Sequence, residues 1–123
     1  MTKVTFEEIA QLRTELAAYE DALKALDVIE DCEGDLEDAA LVLAIEIGQQ
    51  PDGPEWLDGF TKRCRVAICD QSLRENLLNG KYAIVIEFLR QKGICPVILA
   101  VPVLMYILKQ GIEEFCEPLE LKL

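Results

Sequence analysis

A stretch of sixteen uncharged residues, Gly93–Leu108, limits most strongly what this chain can fold into. Nearly all of its side chains are apolar, so the rest of the chain must shield them from water. The stretch is shorter than the ~20 residues that a membrane-spanning helix needs, and it contains Pro96 and Pro102. Proline is tolerated in the first turn of a helix. We therefore predict a buried segment, with a short turn at 96–100 and a long helix from about Pro102 to Cys116.

The length of the chain and its hydrophobic content predict one globular domain. With 123 residues it lies in the commonest size range for a domain, and 51% of its residues are hydrophobic. A chain of this length can bury enough surface to be stable without a metal or a disulfide. We expect a single helical domain over residues 1–123.

The negative charge of the chain is concentrated in its first half. Three Lys or Arg against sixteen Asp or Glu give residues 1–60 a net charge of −13, whereas nine against seven give residues 61–123 a net charge of +2. Such a surface repels nucleic acid and anionic membranes, and we expect neither to be a partner. A solvated acidic face is the simplest interpretation, and an acidic mimic that binds a basic partner protein is an alternative.

Five cysteines, at positions 32, 64, 69, 95 and 116, indicate buried thiols. Their number is odd, and no two of them have the Cys-x-x-Cys spacing of redox and zinc sites. Each lies beside apolar residues, where a free cysteine behaves as a small hydrophobic side chain. The N-terminal sequence lacks the charged-then-apolar pattern of a secretory leader. We therefore predict reduced cysteines and a cytoplasmic location.

The N-terminal region has a well-marked helix signal. Thr5 and Glu8 have the spacing of a capping box, and apolar residues then recur in steps of three and four. We predict one helix whose apolar stripe packs on the core, because the run is under three heptads and is short for an isolated coiled coil. A homodimer through this helix is the alternative. The candidate partner-binding residues on the stripe are Leu12, Leu16, Tyr19, Leu23 and Leu26.

The acidic segment 31–35 predicts a helix cap rather than a calcium loop. Its carboxylates alternate like calcium ligands, but Leu36 and Val42 stand where such a loop needs its glycine and its closing glutamate. Asp35 instead has the position of a cap for a second helix over about 36–47. That helix is apolar almost all round, so we expect it to be central in the bundle.

A third helix is predicted to start at Pro54, and it carries the one basic cluster of the chain, Lys62, Arg63 and Arg65. Three basic charges are too few for a nucleic-acid footprint. We expect them to pair with the acidic first half, within the fold or across a dimer. Ser72 and Glu75 then repeat the spacing of a capping box.

The segments 82–88 and 94–101 fit either a helix or a strand. Alternating apolar residues favour strands that would pair as a hairpin. The charged residues before Gly93 are typical of a helix C-terminus, and a lone hairpin is marginal in a helical chain. We therefore predict an all-α bundle of about five helices, with an α+β fold containing this small hairpin as the alternative.

No residue pattern in the sequence predicts catalysis. The chain has no histidine and no glycine-rich phosphate loop. We therefore predict no catalytic residue, no metal ligand and no cofactor. The favoured function is a small protein–protein interaction or adaptor module, with self-association through its first helix as one form of that contact. The alternatives are an enzyme that uses carboxylate-bound Mg²⁺ near residues 27–38, and the acidic mimic.

Overall fold

Nine α-helices contain most of residues 2–120, which are the residues that this computed structural model describes. The predicted all-α fold is confirmed, and these residues contain no strand, so the hairpin alternative is wrong. The predicted count of about five helices is too low, because the first, third and last expected helices are each divided. In chain order the helices are α1 Phe6–Glu15, α2 Glu20–Asp31, α3 Leu36–Glu46, α4 Trp56–Arg63, α5 Arg65–Ile68, α6 Gln71–Leu78, α7 Tyr82–Gln91, α8 Val97–Gln110 and α9 Ile112–Glu120.

The predicted first helix is in fact a hairpin of two helices, α1 and α2. The capping box at its start is present: the Glu8 amide donates to Thr5 Oγ1 at 3.1 Å, and the Thr5 amide donates to the Glu8 carboxylate at 2.8 Å. Residues 16–19 then turn the chain, so that α2 runs back along α1. Arg13 therefore pairs with Asp27 at 2.5 Å, whereas one continuous helix would separate them by about 21 Å.

The N-terminal segment crosses the turn between α2 and α3. The Val4 amide donates to the Gly34 carbonyl oxygen at 2.9 Å, and the Leu36 amide donates to the Thr2 carbonyl oxygen at 2.9 Å. Glu37 fixes the same segment by accepting hydrogen bonds from the Thr2 amide and hydroxyl, at 2.7 and 2.9 Å. These bonds attach the start of the chain to the N-terminal end of α3.

Helix α3 begins where the sequence predicts but is not covered on all sides. The Asp35 carboxylate accepts a hydrogen bond from the Asp38 amide at 3.1 Å, and Gly48 follows the helix with a φ of +87°. One face is buried and the opposite face is open to solvent, so the prediction of a fully central helix is wrong. The buried residues are Leu36, Ala39, Ala40, Leu43 and Ala44.

The expected third helix is divided into α4 and the short α5. Helix α4 begins at Trp56, two residues after the predicted start at Pro54. The next helix, α6, is capped by Asp70, whose carboxylate accepts from the Ser72 amide at 3.2 Å. The prediction that Ser72 itself is the cap is therefore wrong.

The long apolar stretch forms α8, which lies at the centre of the fold. It packs against α2, α3, α4, α7 and α9, and its residues 97–105 are all buried. The predicted turn at 96–100 and helix start at Pro102 are wrong, because the helix begins at Val97 and contains Pro102. Proline leaves the carbonyl of Ile98 without its helical donor. Burial of the surrounding apolar residues offsets that cost.

The last helix is separated from α8 by Gly111, which has a φ of +102°. The predicted helix end at Cys116 therefore falls inside α9. Across residues 2–120, no helix has both the length and the apolar character needed to cross a bilayer.

Candidate interaction surface

The predicted partner-binding stripe is mostly inside the protein's own core. Leu12, Leu16 and Leu26 are buried, whereas Tyr19 and Leu23 are half-buried. The turn at residues 16–19 divides the stripe between two antiparallel helices, so it does not form one straight seam. A dimer through a straight heptad seam would need the three leucines to leave the core.

A different apolar surface is open to solvent on α3. Val42, Ile45 and Ile47 are 47%, 64% and 39% exposed. Side chains three or four residues apart lie on the same side of a helix, so Val42 and Ile45 are neighbours, whereas Ile47 is the C-cap residue and lies on another side. We call Val42 and Ile45 the α3 face. They are two of the seven large hydrophobic residues that are exposed in the described part of the chain.

Sequence reasoning missed the α3 face because it treated the helix as apolar all round. The signal was nevertheless present in the positions of the charged residues. Asp38 lies one turn before Val42, and Glu46 lies one turn after it. Charged residues at these positions indicate that this side of the helix faces water, so an apolar residue between them is exposed.

An acidic cleft lies beside the N-terminal end of the α3 face. It has a volume of about 1020 Å³ including open solvent, and its carboxylates come from the N-terminal ends of α3 and α4. Tyr106 of α8 donates a hydrogen bond to Asp58 at 2.7 Å, and Lys62 pairs with the same carboxylate at 2.9 Å. Asp38 and Glu55 make no ion pair with any residue of 2–120. The acidic residues that line the cleft are Asp35, Glu37, Asp38, Glu55 and Asp58.

The charges of these carboxylates contribute to the raised pKa values of two nearby side chains, Tyr106 and Cys32. Burial raises the pKa of Tyr106 well above its ordinary value, and the hydrogen bond to Asp58 and the charges of Asp58 and Glu37 raise it further. Burial also raises the pKa of the Cys32 thiol, with additional contributions from nearby carboxylates that include Asp38. Ionisation of either group would add a negative charge to an already negative region.

The carboxylates of residues 27–38 serve mainly as structural partners. Asp27 and Glu30 both pair with Arg13, and Asp35 caps α3. Glu37 accepts two hydrogen bonds from Thr2. Among the described residues, no group of three or more Cys, Asp or Glu side chains is arranged to hold a metal ion.

The predicted basic cluster makes mostly local contacts. Lys62 pairs with Asp58 one turn earlier on α4. The Arg63 guanidinium lies over the ring of Phe60, 5.4 Å from its centroid. Arg65 lies 4.8 Å from the ring centroid of Phe115 on α9. Within residues 2–120, Lys62 is the member of this cluster that forms an ion pair with an acid of the first half. Its hydrogen bond lowers the pKa of Asp58, and the charge of Arg65 lowers it further.

The prediction that every cysteine is reduced is wrong. Cys69, at the end of α5, forms a disulfide with Cys116 on α9. The other three cysteines are free, and Cys64 and Cys95 are both buried. The contact with Cys64, together with burial, raises the pKa of Cys95 far above its ordinary value, so that thiol stays protonated. The disulfide joins positions 47 residues apart in sequence, and sequence spacing alone does not identify such a pair.

Comparison with protein-family models, curated proteins and solved structures finds no match to this chain.

Proposed function

We propose that this chain is a protein–protein interaction module and that the α3 face is its contact surface. The observation that carries the proposal is the exposure of Val42 and Ile45 on a helix whose opposite face is buried. Burial of adjacent apolar side chains by another molecule is favourable, because it removes them from water. The proposed contact therefore moves from the first helix to α3.

The charge of the chain supports a protein as the partner. Residues 1–60 contain the α3 face and carry a net charge of −13. This charge repels phosphate backbones and anionic lipid surfaces, so nucleic acid and membranes are not part of the proposal. A second copy of the chain, bound through the α3 face, would make a homodimer.

We place this activity in the cytoplasm. The three free cysteines support a reducing compartment, whereas the Cys69–Cys116 disulfide would be exposed there to reduction by cellular thiols. The proposal includes no enzymatic activity and no cofactor. It rests on exposed apolar side chains and surface charge, which are features of a contact surface.

The experiment is site-specific photocrosslinking in the native host. A photoreactive amino acid replaces Ile45 in one variant and Ile84 in the other, because Ile84 is exposed to a similar degree on α7. We expect a discrete crosslinked product from position 45 and none of that mass from position 84. Equal products from both positions, or none from position 45, would contradict the proposal. A product of twice the chain mass would identify a second copy as the partner.

A further inference from the structure

We propose that the partner of the α3 face is a basic amphipathic helix of another protein. Its apolar side chains would pack on Val42 and Ile45, and a Lys or Arg would lie beside Asp38. This inference rests on the proposed function, because it specifies the partner of the same surface. It does not follow from that function, since an apolar face could equally bind a neutral or acidic segment.

The α3 face has the shape to bind a helix. Val42 and Ile45 form a short apolar ridge on a helix surface, and helices pack by placing the ridges of one into the grooves of the other. A partner strand would need a free sheet edge, and residues 2–120 contain no strand. A partner helix can cover both side chains with residues spaced three or four apart.

The charges at the two ends of the α3 face differ, and this difference orients the partner. Glu46, at the C-terminal end, is already paired with Lys24 of α2 at 3.3 Å. Asp38, at the N-terminal end, borders the acidic cleft and makes no ion pair within the described residues. A cation on the partner therefore meets uncompensated negative charge at the Asp38 end.

The negative charge at this end exceeds what the helix itself compensates. The N-terminus of α3 contributes about half a positive charge from its backbone dipoles. The cleft contains five carboxylates. Among the described residues, Lys62 pairs with one of them, Asp58, and the positive charge of Arg65 also acts on Asp58. Burial raises the pKa values of Cys32 and Tyr106, and the charges of nearby carboxylates raise both further. A cationic partner would lower this electrostatic repulsion.

A second copy of this chain is a poor match for that requirement. No helix within residues 2–120 carries more than two basic residues. Helix α4 is the helix with two basic residues, and both are already in contact with other side chains: Lys62 pairs with Asp58, and Arg63 lies over Phe60. The partner is therefore a different protein with a helix richer in Lys or Arg.

The test uses two designed peptides of about 18 residues, long enough for five helical turns. One has a leucine stripe and lysines elsewhere, and the other has glutamate in place of every lysine. Binding of each fluorescently labelled peptide is measured by anisotropy at two salt concentrations. The protein variants are the double substitution Val42→Ser with Ile45→Ser, and the single substitution Asp38→Asn. The controls are Ile84→Ser and Glu114→Gln, which change an exposed apolar residue and an exposed acid elsewhere.

We expect the leucine–lysine peptide to bind and the leucine–glutamate peptide not to bind. The double substitution on the α3 face should weaken binding by at least about tenfold, because central apolar contacts dominate the affinity of an interface. Asp38→Asn should weaken it by about threefold or more and reduce its salt dependence, since it removes one interfacial charge. Ile84→Ser and Glu114→Gln should bind as the unchanged protein does, and circular dichroism should show that all variants are folded.

Three results would overturn the inference, and each is distinct from failure of the proposed function. Equal loss of binding in Glu114→Gln and Asp38→Asn would mean nonspecific attraction to an acidic protein. Absence of binding by the lysine peptide would reject a basic helix, while crosslinking from position 45 would still decide whether the face binds a protein. Binding of the glutamate peptide through Val42 and Ile45 would support the α3 face and reject the proposed charge of its partner.

Discussion

Gly34 lies directly beneath the backbone of Val4, and the Val4 amide donates a hydrogen bond to the Gly34 carbonyl oxygen at 2.9 Å. Gly34 has a φ of +83°, and a Cβ atom at this position would overlap the carbonyl oxygen of Val4. A glycine is thus needed here for two reasons: the backbone is left-handed, and the Val4 backbone lies too close for a side chain. This contact joins the N-terminal segment to the start of α3, the helix that presents the proposed contact surface.

Gly34→Ala should therefore lower the free energy of unfolding by at least about 2 kcal/mol. A left-handed backbone costs a residue with a side chain roughly 1–2 kcal/mol, and the overlap with Val4 adds to that cost. Gly48→Ala is the matched control, because its φ is +87° but nothing lies within 4 Å of the added Cβ. Urea denaturation followed by the fluorescence of the single tryptophan measures both. Equal losses in the two variants would show that the close approach to Val4 does not matter.

Local signals in the sequence were sufficient to predict some of the helix ends. Thr5 with Glu8 starts α1, and Asp35 starts α3, because each satisfies amides that the first turn leaves free. Gly48 follows the end of α3 for an equally local reason, its left-handed backbone. These features depend on residues within one turn of each other, so no knowledge of the fold is needed.

Helix boundaries that depend on tertiary packing were not predictable in this way. Residues 16–19 include two alanines, which favour helix, yet the chain turns there because the turn allows both α1 and α2 to bury their stripes. Pro102 resembles a helix start, but it lies inside α8, where burial offsets one missing hydrogen bond. In both cases distant contacts outweigh local preference.

The candidate site was only partly predictable for the same reason. The acidic character of residues 1–60 is visible in the composition. Which side of α3 faces water depends on α2, α4 and α8, which pack against it. The Cys69–Cys116 pair likewise depends on the fold, since α9 must lie beside the end of α5.

Stability should fall at alkaline pH because of Tyr106. Burial and the hydrogen bond to Asp58 raise the pKa of Tyr106 above its ordinary value, which is about 10. Above that pH the unfolded chain loses the phenolic proton while the folded protein keeps it, so the free energy of unfolding decreases as pH rises. Tyr106→Phe should remove the part of this decrease that Tyr106 causes, and the part caused by the raised pKa of Tyr82 should remain. At neutral pH the same variant should be less stable by about 1–2 kcal/mol, since it loses a hydrogen bond to a carboxylate.

Urea denaturation at several pH values between 7 and 11 measures both effects of Tyr106→Phe. Tyr82→Phe is the control, because burial and the charge of Glu15 also raise the pKa of Tyr82. In the described residues, however, the Tyr82 hydroxyl donates no hydrogen bond to a carboxylate. Tyr82→Phe should therefore keep its stability at neutral pH. Equal stability of Tyr106→Phe and the unchanged protein at pH 7 would mean that the bond to Asp58 contributes nothing.

Reduction of the Cys69–Cys116 disulfide should destabilise the protein without unfolding it. Cross-linking positions 47 residues apart stabilises a fold by about 4 kcal/mol in the chain-entropy model, with typical measured values of 2–4. A domain of this size is usually stable by about 5–15 kcal/mol, so the fold should survive. We expect the Tm to fall by roughly 8–16 °C when a dithiol reductant is added. The structural change on reduction should be largest at α9, which the disulfide joins to the end of α5.

Thiol counting in denaturant provides the necessary check on that measurement. The oxidised protein should have three free thiols and the reduced protein five. The double substitution Cys69→Ser with Cys116→Ser should have a low Tm that does not respond to the reductant. Cys32→Ser, which removes a free thiol, should respond as the unchanged protein does. An unchanged Tm alongside a count of five thiols would show that the disulfide does not stabilise the fold.

Replacement of Thr61 by valine should make the protein more stable. Thr61 is fully buried in α4, and its hydroxyl has no hydrogen-bond partner among the described residues. A buried hydroxyl without a partner costs about 1–3 kcal/mol, and valine has nearly the same shape and is also β-branched. Thr61→Val should therefore raise the free energy of unfolding by about 1 kcal/mol.

Thr61→Ser keeps the hydroxyl but loses a buried methyl group, so it should lower the free energy of unfolding by about 1 kcal/mol. Urea denaturation distinguishes these opposite signs, and a valine variant less stable than the unchanged protein would mean that the hydroxyl makes a favourable bond.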